Sequence, residues 1–126
     1  MLKFDTKPLP NKYDYLAPDQ SEIRLLLTTK SGGLCHCTLP PGQVSTAVTH
    51  KTVDEIWYVL QGQGEVWRKQ DDQEECVTVK PGVCLTIPLG THFQFRNTGE
   101  ENLCVVIATM PPCPGADEAI EVQGHW

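Results

Sequence analysis

Residues 42–62 read GQVSTAVTHKTVDEIWYVLQG. Its central run, Glu55-Ile56-Trp57-Tyr58-Val59-Leu60, concentrates β-branched and aromatic side chains and is the strongest strand signal in the chain. A strand repeats every second residue, so Glu55, Trp57 and Val59 share one face while Ile56, Tyr58 and Leu60 share the other. Upstream, Pro40-Pro41-Gly42 stops any regular element; downstream, Gly62-Gln63-Gly64 makes a tight reversal.

The pattern continues on both sides. Residues 22–29, 34–39 and 45–50 read as strands before this run. Residues 65–68, 75–79, 83–87, 93–96 and 103–108 read as strands after it, with residues 71–75 as an exposed acidic turn. Turn signals at Ser31-Gly32-Gly33, Lys80-Pro81-Gly82, Pro88-Leu89-Gly90 and Asn97-Thr98-Gly99 separate them. Eight or nine short strands without a long amphipathic helix predict an all-β sandwich or small barrel, with helix limited to a turn or two.

A chain of 126 residues is one domain. Prolines 8, 10 and 18 make residues 1–21 an extended arm; residues 22–110 form the barrel, and a Pro-rich tail, 111–126, packs on it. The net charge of −6 and the lack of a Lys/Arg cluster argue against a nucleic-acid partner. No stretch is long and apolar enough for a membrane span. Asp5 and Lys7 interrupt the apolar run that an export signal needs, so the expected location is the cytoplasm. In that compartment the six cysteines are expected to be free thiols, with Cys104 buried and Cys113 exposed. Cys35-His36-Cys37 would place both thiols on one face of a strand and His36 on the other, and no second Cys pair completes a tetrahedral site. Open sheet edges and the extended arm predict a homodimer.

The spacing of fixed residues resembles the cupin superfamily, a group of small double-stranded β-helix, or jelly-roll, barrels. Its first motif is matched by Gly42, His50, Glu55 and Gly62, with Val48 where the first His of a His-x-His pair would stand. Its second is matched by Gly82, Pro88, Gly90 and Asn97, with Phe93 at the His position and His92 one residue earlier. In metal-bearing members, three His and one Glu converge inside the barrel on a divalent ion. Imidazole and carboxylate suit such ions, but here the resemblance leaves only His50 and Glu55 as ligands.

Several readings follow. With Val48, Trp57 and Phe93 around His50 and Glu55, the interior resembles a mostly apolar small-molecule site with few polar anchors, needing no cofactor. Those five residues are the candidate ligand-binding set. His50 and Glu55 can equally satisfy each other, and the aromatics can fill the barrel completely. The alternative is a metal-dependent enzyme. It would be a dioxygenase, or a sugar isomerase or epimerase of the mannose-6-phosphate-isomerase-like kind, with Zn, Fe, Mn or Ni held by His50, Glu55 and His92. Period two points His92 away from the face of Phe93, so that site needs a bulge near Gly90. A third reading is a structural or interaction role for a dimeric barrel. No catalytic residue is assigned.

Overall fold

The computed structural model describes residues 2–126. Eleven strands run in chain order: β1 (Tyr15–Leu16), β2 (Glu22–Thr28), β3 (Gly33–Leu39), β4 (Val48–His50), β5 (Asp54–Gln61), β6 (Gly64–Gln70), β7 (Gln73–Val79), β8 (Cys84–Ile87), β9 (His92–Asn97), β10 (Leu103–Met110) and β11 (Ala119–Glu121). One 3-10 turn, Ala116–Glu118, is the only helix among the described residues. The larger sheet has the order β1-β2-β3-β10-β5-β8 and the smaller β11-β4-β9-β6-β7. All named pairings are antiparallel, and the two sheets face each other across one core. The fold is the two-sheet barrel that the strand spacing predicted.

Alternation sets the faces. Along β5, Glu55, Trp57 and Val59 are buried while Ile56, Tyr58 and Leu60 are exposed. From β9, Phe93 and Phe95 meet Trp57 edge-on, with ring centroids 5.7 and 5.1 Å away. Leu39, Val66, Val79, Ile87 and Val105 belong to the same buried core. Gly62 closes the β5–β6 reversal with φ +88°, and a Cβ there would lie 2.5 Å from the Asn102 carbonyl oxygen, so only Gly fits.

Some boundaries differ from the sequence reading. The 45–50 strand is confined to Val48–His50, because Val44 makes only an isolated bridge to Arg96. The acidic turn shrinks to Asp71-Asp72: Glu74 and Glu75 belong to β7, where they lie opposite Lys69 and Arg68. Arg68 and Glu75 form an ion pair at 2.6 Å, so cross-strand charge favours continuing the strand. Within the predicted arm, Tyr15–Leu16 pairs with β2. The tail supplies β11, which pairs with β4.

All six cysteines are free. Cys104 is half-buried rather than buried. Leu103, Val105 and Ile107 take the inward positions of β10, leaving Cys104 on the outer face, an alternation hidden within a continuously apolar run. Cys113 is exposed, as are Cys76 and Cys84.

Candidate functional site

His50 ends β4, and the Lys51-Thr52-Val53 connection leads to Glu55 near the start of β5. Val53 is completely buried and anchors this turn. His50 Nε2 lies 3.1 Å from Glu55 Oε2, and Trp57 Nε1–H donates to Glu55 Oε1 at 2.9 Å. Both carboxylate oxygens are thereby engaged by neighbours from β4 and β5. Val48 pairs directly with Phe93 across β4 and β9, and the Phe93 ring stacks on His50 at 5.6 Å and 13°.

The opposite side of His50 faces the tail. His50 Nδ1 is buried and has no hydrogen-bond partner among the described residues; Glu118 Oε2 stands 3.8 Å away. Glu118 is itself buried. Its carboxylate accepts the Lys51 N–H at 3.1 Å, the Thr52 N–H at 3.0 Å and the Thr52 hydroxyl. Burial opposes a charge on His50, but the Glu55 hydrogen bond and the fields of Glu55, Glu118 and Asp19 outweigh it, raising the pKa above the ordinary imidazole value. Burial would raise the Glu118 pKa, but the Thr52 and Lys51 bonds and nearby His50 hold it below the ordinary carboxylate value.

These shifts predict a window of stability. The contribution of raised His50 is fully present below its unfolded pKa and is lost as pH rises through the folded value. That of depressed Glu118 is present above its unfolded pKa and is lost as pH falls through the folded value. Glu118→Gln is expected to cost about 1.5–3 kcal/mol near neutral pH. In denaturant melts across pH, its difference from wild type should shrink below about pH 4.5 and shrink in part at alkaline pH. A difference that does not vary with pH would show that charge on Glu118 contributes nothing.

Beside this dyad lies a cavity of about 110 Å³. Its walls include Val48, Trp57 and Phe93 together with Tyr15, Ala17, Ile23, Cys35, Ile107, Cys113 and Ala119; His50, Glu55, Asp19 and Ser21 supply polar groups. Asp19 Oδ1 accepts the Ser21 N–H at 3.0 Å and hydroxyl at 2.5 Å. Burial raises the Asp19 carboxyl pKa, partly offset by those bonds. Burial likewise pushes the Cys35 thiol and the Tyr15 phenol up to about 12, so both are neutral walls.

The five candidate ligand-binding residues, His50, Glu55, Trp57, Val48 and Phe93, therefore surround one cavity. His92 does not join them. It pairs with Thr49 and Lys69, and its side chain lies on the outer face with Trp67, Lys69, Glu74 and His125. No bulge interrupts β9 at that point, so period two holds and the His50–Glu55–His92 metal set does not form. The residues present do not fit a cupin metal centre. Val48 and Phe93 cannot donate, and no group of three or more His, Cys, Asp or Glu among the described residues could hold an ion.

Sequence reasoning missed Tyr15, Asp19, Cys113 and Glu118. All four lie outside both motifs. Asp19-Gln20-Ser21 carries the signal of an Asx turn, which marks the turn but not its place in a cavity wall.

Two facing antiparallel sheets with the glycine and proline turns of both motifs define a double-stranded β-helix. A cupin domain model matches residues 35–109, and the chain belongs to that family. An uncharacterized protein of Methanocaldococcus jannaschii is 28% identical over 123 residues, covering 90% of this chain and 95% of that one. A crystal structure from Bacillus halodurans superposes with a TM-score of 0.67 at 24% identity, covering 86% of this chain and 80% of the other. An uncharacterized Klebsiella pneumoniae protein with a double-stranded β-helix domain gives a TM-score of 0.68 at 17% identity, covering 94% and 90%.

Proposed function

We propose that this cupin barrel binds a small, uncharged or weakly polar organic molecule in its interior cavity, without a resident transition metal, and works as a homodimer. The cavity beside the His50–Glu55 dyad is the observation that supports this reading. Apolar walls with a few converging polar groups are the usual form of a small-molecule site. Its volume of about 110 Å³ compares with an apolar cavity of about 150 Å³ that accepts benzene. The occupant is thus a compact molecule of about four or five heavy atoms. Apolar contact supplies its affinity, and Glu55, His50 and Asp19 orient its polar end.

The test is a panel of small neutral alcohols, ketones, amides and arenes, followed by amide chemical shifts and melting temperature. Perturbations confined to residues around Val48, Trp57 and Phe93 are expected. Cys35→Phe should fill much of the cavity and weaken binding at least about tenfold while unfolding stays cooperative. Binding that survives this filling, or shifts that map elsewhere, would place the ligand outside the cavity.

A further inference from the structure

The polar groups around the cavity are not equally free to meet a ligand. Trp57 Nε1 and His50 Nε2 both point at the Glu55 carboxylate, at 2.9 and 3.1 Å, and His50 Nδ1 is buried on the Glu118 side. The Ser21 hydroxyl and N–H both donate to Asp19 Oδ1, at 2.5 and 3.0 Å. Each of these donors is therefore engaged within the wall. The second Asp19 oxygen, Oδ2, has no hydrogen-bond partner among the described residues, yet it is not sealed in as His50 Nδ1 is. Asp19 is 7% exposed and lines the cavity, so the space that Oδ2 meets is the cavity.

The backbone fixes that aim. The Gln20 N–H donates to the Ala17 carbonyl and the Ala17 N–H to the Ser21 carbonyl, both at 2.8 Å. The Thr46 N–H donates to the Asp19 carbonyl at 2.9 Å and ties the turn to the loop before β4. Gln20 takes φ +76°, a left-handed conformation that a residue other than glycine adopts at a cost. A serine would close the same turn through its single oxygen. The carboxyl adds a second oxygen at a desolvation cost, and that oxygen is the one left over for the cavity.

Burial pushes the Asp19 pKa up; the Ser21 bonds and His50 oppose this, and the Glu55 carboxylate adds to it. The neutral acid is thereby favoured. Oδ1 already accepts two hydrogens, so the proton of that acid stands on Oδ2 and is offered to the cavity. A carboxylic acid kept neutral by an apolar site donates a hydrogen bond to a ligand oxygen. Tyr15 also carries a hydroxyl in the wall, but it is only partly buried, and water competes for a donor that is not desolvated.

We propose that the cavity takes a small carbonyl compound, a ketone, an aldehyde or a primary amide, whose oxygen accepts a hydrogen bond from Asp19 Oδ2. This rests on the small-molecule reading above and names its ligand class. With room for about four or five heavy atoms, the carbonyl carries only short substituents, which pack on Val48, Phe93 and Ile107. Asp19 sets specificity, while the apolar walls accept a carbonyl compound and a hydrocarbon of the same shape alike.

Butanone and the alkene in which a methylene group replaces its oxygen are matched probes. Asp19→Ser keeps an oxygen for Ser21 and removes the one facing the cavity. It is expected to weaken butanone binding at least about tenfold and to change alkene binding less than about threefold. Asp19→Asn, which offers an N–H at the same place, should hold butanone within about threefold of wild type. The labelled carbonyl carbon of bound butanone should resonate further downfield on wild type than on Asp19→Ser, which a merely supporting role for Asp19 would not produce. Equal losses for both probes in Asp19→Ser, or no loss for either, would overturn the proposal and leave the small-molecule reading standing. So would a ketone-specific loss in Tyr15→Phe with none in Asp19→Ser, which would make the phenol the donor. Isopropylammonium that binds wild type more tightly than butanone, and is lost in Asp19→Asn, would show an ionised Asp19 and also overturn it. A wild-type chain that binds neither butanone nor the alkene would overturn both readings.

Discussion

Val48→His combined with Phe93→His is expected to turn the barrel interior into a transition-metal site. The two positions are direct partners across β4 and β9, and the Phe93 ring lies against His50. Two added imidazoles would join His50 and Glu55 around the space that the Phe93 ring now fills. The native His50–Glu55 hydrogen bond at 3.1 Å must open for both to ligate. Zinc affinity should nevertheless rise by more than about a hundredfold, since even a lost outer-shell partner changes affinity about 10–100-fold. Binding should weaken as pH falls below about 6.5, because each imidazole must shed a proton. Calorimetric titration and bound metal per chain after dialysis measure the effect, and either single substitution should deliver much less. No gain in the double variant, with the fold intact, would mean that the two positions do not converge on His50 and Glu55. Stoichiometric metal in the wild-type chain with His50 and Glu55 as ligands would instead overturn the metal-free reading.

Trp57→Ala is expected to produce the largest loss of stability of any single core substitution. Trp57 is 2% exposed, lies edge-on to both Phe93 and Phe95, and donates to Glu55. Truncating a buried aromatic costs about 3–5 kcal/mol, a large share of the roughly 5–15 kcal/mol that holds a domain together. For a chain of this length the melting temperature should fall by roughly 10–20 °C. Trp57→Phe separates the two contributions, since it keeps most of the ring packing and leaves one Glu55 oxygen without its donor. That variant should cost about 1–3 kcal/mol. Equal losses from both variants would show that the hydrogen bond, rather than the packing, makes Trp57 indispensable.

Both predictions rest on residues whose placement was legible in the chain, and the reason is locality. Strand alternation is a property of adjacent residues, so Glu55, Trp57 and Val59 had to share a face once the segment was extended. The same parity put His92 outside, and the antiparallel barrel kept it there because β9 pairs without a bulge at that point. The motif spacing placed Gly62 at a reversal that only glycine can make and put His50 and Glu55 on consecutive strands, which the fold assigns to opposite sheets so that the two side chains meet across the core.

What lay beyond reach of the sequence came from parts of the chain remote from the motifs. Glu118 meets Lys51, Thr52 and His50 only because the tail returns as β11 beside β4. Asp19 and Tyr15 enter the cavity wall only because β1 pairs with β2 and the loop between them folds against it. No periodicity encodes such meetings, since they depend on where the chain ends up in three dimensions. Whether the barrel would be hollow or filled was likewise undecided by residue type. Val48, Trp57 and Phe93 are bulky enough for either outcome, and a residual volume of about 110 Å³ is a small difference between the space the strands enclose and the volume their side chains occupy. Tertiary packing sets that difference, and with it the room for a ligand.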